Sequence, residues 1–269
     1  MGQNFLVNQG ALNKIIEAAE LTAKAIILEV GPGIGTLTKE LAKRAGKVIT
    51  VEKDKLMIEI LKETLKDYKN IETINDNILK FNPKSYNLKA KSYKLVANIP
   101  YYLTSPLIRK FLESKNPPDK IILMIQKEVA QRICARPPSP PHQSSKRTSG
   151  VGARMSLLAV SVQFYAKPKI ISYISKKCFW PAPKIDSAII KISDIKNLKI
   201  DAKKFFKIVK AGFSQPRKQL ANNLSGSLKI DKIQVNAWLL KNKINPKQRA
   251  ETLSVLDWEK LANSQSINI

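Results

Sequence analysis

The first half of the chain alternates short, continuous apolar runs with segments whose apolar residues recur every three or four positions. Ala25–Val30 and Lys47–Glu52 are runs of the first kind, which predict buried strands. Thr36–Ala45 is of the second kind, with Leu37 and Leu41 on one helical face. Further strands are predicted at residues 70–74, 94–97, 120–126 and 187–192. Apolar strands separated by helices are typical of a parallel sheet covered on both faces, so the pattern predicts a doubly wound α/β domain.

Strand-like runs are missing from the last part of the chain. Three segments there carry helical periodicity instead: Asp201–Phe213, Arg217–Leu224 and Val235–Leu240. We therefore predict two domains, a sheet domain over residues 1–193 and a small all-helical domain over residues 194–269.

Charge gives the first indication of function. The 269 residues hold 47 Lys and Arg against 21 Asp and Glu, a formal net charge of +26. So large an excess favours a polyanionic partner, with nucleic acid first and an anionic membrane surface as its main competitor. The two predicted domains carry +17 and +9, so a long polyanion could run across both.

Residues 136–154 fit neither periodic pattern. They contain four prolines and no acidic residue. We expect a mobile basic loop inside the first domain, serving either as a solvated tether or as an arm that contacts RNA.

The composition argues against several other kinds of chemistry and location. No apolar run has the length of a membrane span, and the N-terminus lacks the cationic start and apolar core of a signal peptide. Cys134 and Cys178 form neither a metal-type spacing nor a disulfide framework, so we expect a reducing, cytoplasmic environment. His142 is the only histidine, which argues against histidine catalysis and a bound metal.

The turn after the first long strand predicts a nucleoside site. It reads Gly31-Pro32-Gly33-Ile34-Gly35, and glycines permit positive φ and a close approach of ligand to backbone. A dinucleotide fingerprint fails because position 36 is Thr, and no Gly-Lys-Ser/Thr follows to make a P-loop. Glu52 ends the next strand, where a carboxylate can accept ribose hydroxyls. S-adenosylmethionine, which has adenosine but no pyrophosphate, fits Gly31, Gly33, Gly35 and Glu52; an ordinary tight turn is the alternative.

A second turn, Asn75-Asp76-Asn77, follows the third predicted strand. Asp76 or Asn77 could accept a hydrogen bond from the adenine amine of such a cofactor. A capping turn residue explains the same pattern equally well.

Asn98-Ile99-Pro100-Tyr101 is the most specific motif of the chain. It ends the strand at residues 94–97, at the carboxyl edge where ligands bind in such sheets. The adenine N6 amine is a poor nucleophile, and the Asn98 side-chain oxygen with the Ile99 carbonyl could accept its two protons and favour a pyramidal nitrogen. Catalysis would then rest on positioning and electrostatics. Tyr101 offers a ring on which an extruded base can stack, whereas the plain alternative is a strand-ending turn.

With these motifs the chain resembles the ribosomal RNA adenine dimethyltransferases of the small-subunit type linked to kasugamycin resistance. The resemblance covers nearly the whole chain except residues 136–154. Besides the glycine turn, Glu52 and the tetrapeptide, it rests on these segments: Gly2-Gln3-Asn4-Phe5-Leu6, Gln126-Lys127-Glu128-Val129, Phe179-Trp180-Pro181-Ala182-Pro183-Lys184-Ile185-Asp186-Ser187 and Arg249-Ala250-Glu251-Thr252-Leu253-Ser254.

The resemblance implies a Rossmann-like methyltransferase fold, S-adenosylmethionine as cofactor, and roles for further residues. Asn4, Leu6 and Asn98 are implied to line the cofactor site together with the turns already named. Phe179 is implied to be the second aromatic partner of the target adenine, facing Tyr101, whereas without the resemblance plain core packing beside a proline-rich turn is the favoured interpretation. The implied substrate is a pair of adjacent adenosines in a hairpin loop near the 3′ end of small-subunit ribosomal RNA, in the immature subunit. We expect a monomer with no membrane partner.

Two departures and two alternatives accompany this hypothesis. The family pattern has Asp four residues before the position of Phe81, where this chain has Asn77, with Asp76 one place earlier. The chain also starts without the basic segment that usually precedes Gly2-Gln3. One alternative is the same chemistry on large-subunit RNA or on DNA. The other is a non-catalytic RNA-binding assembly factor, or a transcription factor, of the same fold.

Overall fold

The computed structural model describes residues 4–138, 154–196 and 201–264. Most of the basic loop expected at residues 136–154 lies outside these ranges. The chain divides into two compact units, the first formed by Met1–Ala130 and Ala166–Ile195, the second by Gln131–Tyr165 and Lys196–Ile269.

The strands all belong to the first unit. In chain order they are β1 (Phe5–Leu6), β2 (Ile26–Val30), β3 (Lys47–Glu52), β4 (Ile71–Asn75), β5 (Lys94–Asn98), β6 (Lys120–Gln126), β7 (Lys167–Ile174), β8 (Phe179–Trp180) and β9 (Ser187–Ser193). Seven of them form one sheet in the order β4-β3-β2-β5-β6-β9-β7, and β1 pairs with β8.

The first five strands in this order, β4, β3, β2, β5 and β6, run parallel to one another, as expected from their apolar sequences. The last predicted strand differs, because β9 lies antiparallel to both β6 and β7. The α/β fold class is confirmed. The sheet is mixed, however, and β7 is an edge strand that the sequence pattern did not predict.

The helices are α1 (Gln9–Ala19), α2 (Thr36–Ala42), α3 (Lys55–Thr64), α4 (Thr104–Leu112), α5 (Lys127–Ile133), α6 (Leu157–Tyr165), α7 (Ala202–Gly212), α8 (Leu220–Leu228), α9 (Lys232–Lys241) and α10 (Val255–Asn263). Short 3-10 turns lie at Pro83–Tyr86, Tyr101–Leu103, Lys176–Cys178 and Ala250–Thr252.

Helix α1 shows how the sequence sets an element against the sheet. The Asn8 side-chain oxygen accepts the backbone N–H of Ala11, which caps the first turn. The apolar face of α1 shares one buried cluster with α2 and with alternate residues of the strands: Leu12, Ile15, Ile16, Leu37, Leu41, Ile27, Val48, Val96 and Ile122. This cluster covers one face of the sheet, and the turns that follow the strands lie at the carboxyl edge.

An ion-pair cluster ties the end of α1 to the sheet. Glu20 accepts hydrogen bonds from the ammonium groups of Lys120 and Lys191, which lie on the paired strands β6 and β9. These two hydrogen bonds lower the pKa of Glu20 from 4.5 to about 2. The carboxylate is therefore ionised at any physiological pH.

The second unit packs around aromatic side chains. The rings of Phe164 and Phe205 stack with centroids 3.8 Å apart, and Trp258 is fully buried. A Cβ at Gly212 would overlap the Trp258 ring, so α7 needs a glycine there. Phe164 lies on α6, and its burial among the C-terminal helices brings α6 into this unit.

The predicted domain boundary near residue 193 therefore needs a correction. The first unit ends at Ile195, close to the prediction, but residues 131–165 belong to the second unit rather than to the sheet domain. The physical reason is that the buried face of α6 continues the helical core instead of the sheet core. With these residues included, the second unit holds 20 Lys and Arg against 5 Asp and Glu.

Candidate active site

The candidate residues line up along the carboxyl edge of the sheet. Val30 of β2 pairs with Val51 on one side and with Ala97 on the other, so Gly31 leaves its strand between Glu52 and Asn98. Asp76 directly follows β4, the neighbour of β3, and its backbone N–H donates to the Glu52 carbonyl at 3.0 Å. Neighbouring strands lie about 4.8 Å apart, so these four residues follow an edge of about 14 Å. An extended nucleoside cofactor can lie along an edge of that length.

The glycine turn has the backbone conformation that its sequence predicts. Gly31, Gly33 and Gly35 all have positive φ, at 65°, 57° and 86°. The Gly31 N–H donates to the Val51 carbonyl at 3.0 Å, which fixes the turn against β3. A Cβ at Gly31 would meet no atom within 4 Å, so the space beside its Cα is open to a ligand.

Gly33 serves packing within the protein. A Cβ there would lie 3.0 Å from the Phe5 ring, so the missing side chain lets β1 approach the turn. Leu6, the second residue of β1, pairs with Phe179 of β8. Strand β1 thus joins the glycine turn, through Phe5, to the segment of the second expected aromatic residue, through Leu6, and Asn4 directly precedes this strand.

Glu52 lies at the end of β3 with only 6% of its surface exposed. One carboxylate oxygen, Oε1, accepts the backbone N–H groups of Lys53 and Asp54 at 2.8 and 2.9 Å. The other, Oε2, has no hydrogen-bond donor within the part of the chain that the structure describes. The arrangement fixes a largely buried side chain at the sheet edge and leaves its second oxygen open as an acceptor, as a ribose-binding carboxylate requires.

The second turn distinguishes Asp76 from Asn77. The Asn77 side-chain oxygen accepts the backbone N–H of Leu79 at 3.0 Å and so caps its own turn. Asp76 accepts the Asn77 N–H through Oδ1 at 2.6 Å, and no described residue donates to its Oδ2. Asp76 is therefore the better placed acceptor for an adenine amine, although Asn77 occupies the position where the family pattern has its acid.

A further carboxyl group, Glu29, is buried behind the glycine turn. Burial raises its pKa from 4.5 to about 8, the Thr38 hydroxyl opposes this shift, and the nearby charge of Glu52 adds to it. The Glu29 Oε2 and Thr38 Oγ1 atoms are both buried, and although the hydroxyl acts on the carboxyl group, neither atom meets the geometry of a full hydrogen bond with a described residue. Glu29 is thus held protonated at neutral pH, which removes one negative charge from beside Glu52.

The Asn98–Tyr101 tetrapeptide leaves two acceptors open. Asn98 ends β5, pairs with Met124 of β6, and remains partly exposed. Neither its side chain nor the Ile99 carbonyl has a hydrogen-bond partner among the described residues. Pro100 starts the 3-10 turn that follows, and its carbonyl accepts the Leu103 N–H at 3.0 Å. Both acceptors proposed for the substrate amine are thus free at one strand end.

Tyr101 is held in place by the antiparallel half of the sheet. Its hydroxyl lies 3.2 Å from the Oγ of Ser187, the buried first residue of β9. Ser187 pairs with Gln126 and Ile174, which end their own strands at the same edge. Phe179 follows five residues after Ile174 and is 6% exposed.

Two contributors were not assigned from the sequence. Phe5 packs on Gly33, and Ser187 orients Tyr101. Both lie inside the segments that carry the family resemblance, so the signal was present. Their roles depend on contacts between distant parts of the chain, which a motif does not report.

Other site types have no counterpart in the described residues. No three His, Cys, Asp or Glu side chains there lie close enough together to hold a metal ion. Within the same ranges, no helix has the length and apolarity needed to cross a membrane.

The sequence matches known proteins along nearly its whole length. A family model described as ribosomal RNA adenine dimethylase matches residues 1–266. A ribosomal RNA small subunit methyltransferase A from Dehalococcoides mccartyi strain CBDB1 is 42% identical over 264 residues, 97% of this chain and 86% of that protein. A protein of the same name from Alkaliphilus oremlandii is 40% identical over 271 residues, 98% of this chain and 90% of that protein.

Two solved structures share the fold over nearly the whole chain. A dimethyladenosine transferase from Plasmodium falciparum superposes with a TM-score of 0.75 at 27% identity, covering 96% of this chain and 95% of that one. The 23S rRNA methyltransferase ErmE superposes with a TM-score of 0.73 at 26% identity, covering 96% and 98%. Both units of the chain fall within these matches.

Proposed function

Because the chain belongs to the ribosomal RNA adenine dimethylase family, we propose that it transfers methyl groups from S-adenosylmethionine to N6 of adenine in small-subunit ribosomal RNA. The observation that supports this most is the continuous edge Asp76–Glu52–Gly31–Asn98, which sets a nucleoside site beside free acceptors for an amine. The target we propose is the pair of adjacent adenosines expected near the 3′ end, which become dimethyladenosines during assembly of the subunit.

The residues present fit S-adenosylmethionine. The space beside Gly31 would be filled by any side chain, Glu52 offers one unpartnered carboxylate oxygen to the ribose, and Asp76 offers another to the adenine amine. Asn4 and Leu6 lie on or next to β1 and complete the wall near the turn. The bound cofactor supplies an electrophilic methyl group.

The protein's own contribution is to prepare the substrate amine. The Asn98 side-chain oxygen and the Ile99 carbonyl accept its two N–H groups, which localises the nitrogen lone pair. Both acceptors are fixed by the strand end and the 3-10 turn, so little reorganisation is needed when positive charge develops on nitrogen. The chemistry therefore needs no histidine and no metal.

Two rings hold the target base out of its stack. Tyr101 is anchored through Ser187, and Phe179 is anchored by the pairing of β8 with β1. A base between two rings gains stacking energy of about 1–3 kcal/mol per contact, which offsets the cost of unstacking it. A loop adenosine is already partly unstacked, so this cost is lower than in a duplex.

The remaining surface supplies affinity for the RNA backbone. The second unit, with 20 basic and 5 acidic residues, suits the phosphates of a helix next to the loop. Such contacts fix register without reading bases. We further propose that the protein acts as a monomer in the cytoplasm, where ribosomal subunits are assembled.

The large-subunit alternative has one observation in its favour, the structural likeness to ErmE. The small-subunit assignment is better supported, because the curated relatives with 40–42% identity carry the small-subunit name, whereas ErmE is 26% identical. A non-catalytic role is disfavoured by the intact, unpartnered Asn98 and Ile99 acceptors.

Mass spectrometry of small-subunit RNA from cells lacking the protein tests the proposal. We expect dimethyladenosine to be lost at two adjacent positions and restored by the wild-type gene. The Asn98→Ala gene should restore protein levels without the modification. Full dimethylation in the deleted strain would refute the proposed function.

A further inference from the structure

Trp180 is exposed beside a ring that the proposed mechanism uses. Phe179 and Trp180 are consecutive residues of β8, and side chains alternate along a strand, so one points inward and the other outward. Phe179 is 6% exposed, whereas 70% of the Trp180 surface is open to solvent. An indole exposed to this degree leaves a large flat apolar face without a partner.

Strand β8 holds the backbone of Trp180, and so the attachment point of the indole, in a fixed place. Trp180 pairs with Phe5 of β1, and the Phe5 ring lies against Gly33 of the glycine turn. The chain before β8 is anchored as well, because Asp186 accepts the Lys176 backbone N–H at 3.0 Å. A preorganised ring loses little conformational entropy when a ligand stacks on it.

Three lysines lie close to Trp180 in the sequence. Lys176, Lys177 and Lys184, here called the lysine cluster, are all exposed within nine residues of chain. None of the three forms an ion pair with a described acidic side chain. Nearby, the ammonium group of Lys127 lies 5.3 Å from the centre of the Tyr173 ring. Aromatic faces interleaved with unpaired cations are typical of surfaces that bind single-stranded nucleic acid.

We propose that Trp180 stacks on the nucleotide beside the target adenine, while the lysine cluster holds the phosphates of that stretch of strand. The inference rests on the proposed function, because it places the target base against Phe179. Because Phe179 and Trp180 are consecutive, a strand whose base reaches Phe179 comes within one residue of the exposed Trp180 ring. Any base can stack on an aromatic ring, so Trp180 contributes to affinity and to the position of the strand but does not select a particular base.

Tryptophan fluorescence reports this contact directly. The chain has three tryptophans, and Trp238 and Trp258 are 2% and 0% exposed, so only Trp180 can be quenched by a stacked base. We expect a short single-stranded oligoadenylate to quench the wild-type emission and to leave Trp180→Phe unquenched. Equal quenching in both proteins would overturn the proposal.

Steady-state methylation of purified small subunits provides the functional readout. Trp180→Ala should raise KM for the subunit by about 5- to 150-fold, the usual worth of one stacked base, with kcat little changed. Trp180→Phe should recover most of the loss, and neither variant should alter S-adenosylmethionine affinity measured by calorimetry. A Trp180→Ala enzyme with wild-type KM would overturn the proposal. If the wild-type protein does not methylate the subunit but its Trp180 emission is still quenched, the proposed function is refuted, whereas the stacking of RNA on Trp180 is supported.

The contribution of the lysine cluster can be compared with that of two other lysines, which lie at the opposite end of the strands. Lys176→Ala with Lys177→Ala should reduce the magnitude of the slope of log binding constant against log salt by about 1.4, because two phosphate contacts to a single strand are lost, at about 0.7 each. Lys24 and Lys69 are exposed, unpaired lysines that precede β2 and β4. Their double alanine variant removes the same charge and should leave the slope unchanged. Equal slopes for the two double variants would show that the cluster does not contact the strand.

Discussion

The Glu52→Gln substitution tests the candidate cofactor site with little disturbance of the fold. Oε1 of Glu52 accepts the N–H groups of Lys53 and Asp54, whereas Oε2 has no described donor. A glutamine oxygen can accept the same two N–H groups, so the end of β3 keeps its conformation. The amide nitrogen then replaces the charged acceptor that we assign to the ribose.

The expected loss follows from the number of bonds affected. One charge-assisted hydrogen bond is worth about 1.5–3 kcal/mol, which corresponds to a dissociation constant roughly 10- to 150-fold weaker. If both ribose hydroxyls use Oε2, the loss lies at or above the upper end of this range. Isothermal titration calorimetry with S-adenosylmethionine measures it, and thermal unfolding without ligand verifies that the variant is folded.

Glu72→Gln is the matched control. Glu72 lies near the start of the neighbouring strand β4, pairs with Lys47 at 2.7 Å, and is remote from the carboxyl edge. Its substitution removes the same charge from the same unit and should leave cofactor affinity unchanged. A folded Glu52→Gln protein that binds as tightly as this control would refute the assignment of the ribose to Glu52.

Three further predictions concern neighbouring parts of the unit. Tyr101→Ala should lose about 1–3 kcal/mol of target binding, whereas Tyr101→Phe should lose less, because the ring remains and only its hydroxyl contact with Ser187 is removed. Equal losses in binding and single-turnover assays would mean that the hydroxyl, not the ring, makes the contribution. In calorimetry, Asp76→Asn should weaken cofactor binding more than Asn77→Ala does. The reverse order would show that Asn77, not Asp76, contacts the adenine. Glu20 has a pKa of about 2, below its ordinary 4.5, so its ion pairs stabilise the fold above pH 4.5 and lose this effect as pH falls towards 2. In chemical denaturation, the free energy of unfolding of Glu20→Gln should therefore be about 1 kcal/mol lower than that of the wild type at pH 6, and equal to it near pH 2. The difference at pH 6 is modest because solvent screens these ion pairs. An equal difference at both pH values would contradict this prediction.

The parts of the fold with strong local patterns were predictable from the sequence. Lys47–Glu52 was predicted with the bounds that β3 has, because its apolar run is continuous. Strand β7 was missed because it is an edge strand, half-exposed along much of its length, with Pro168 near its start. The two-residue strands β1 and β8 carry no periodicity, and only their pairing across the chain defines them.

The site shows the same division. The glycine turn, Glu52 and Asn98 were predictable because each follows a recognisable strand with the residue type that its chemistry needs. Oε1 of Glu52 accepts the backbone N–H groups of Lys53 and Asp54, so only Oε2 stays open. This arrangement depends on the local backbone conformation, which a sequence motif does not show. The assignment of α6 to the helical unit likewise depends on where Phe164 is buried.

The most direct test of the central claim offers both purified ribosomal subunits, taken from cells that lack the modification, to the purified protein with methyl-labelled S-adenosylmethionine. Digestion of each RNA to nucleosides then identifies the labelled product and its subunit of origin. The account predicts labelled N6,N6-dimethyladenosine in small-subunit RNA only, and none with the Asn98→Ala variant, whose cofactor affinity should stay near wild type. Label in large-subunit RNA, label on another atom, or undiminished transfer by Asn98→Ala would contradict it.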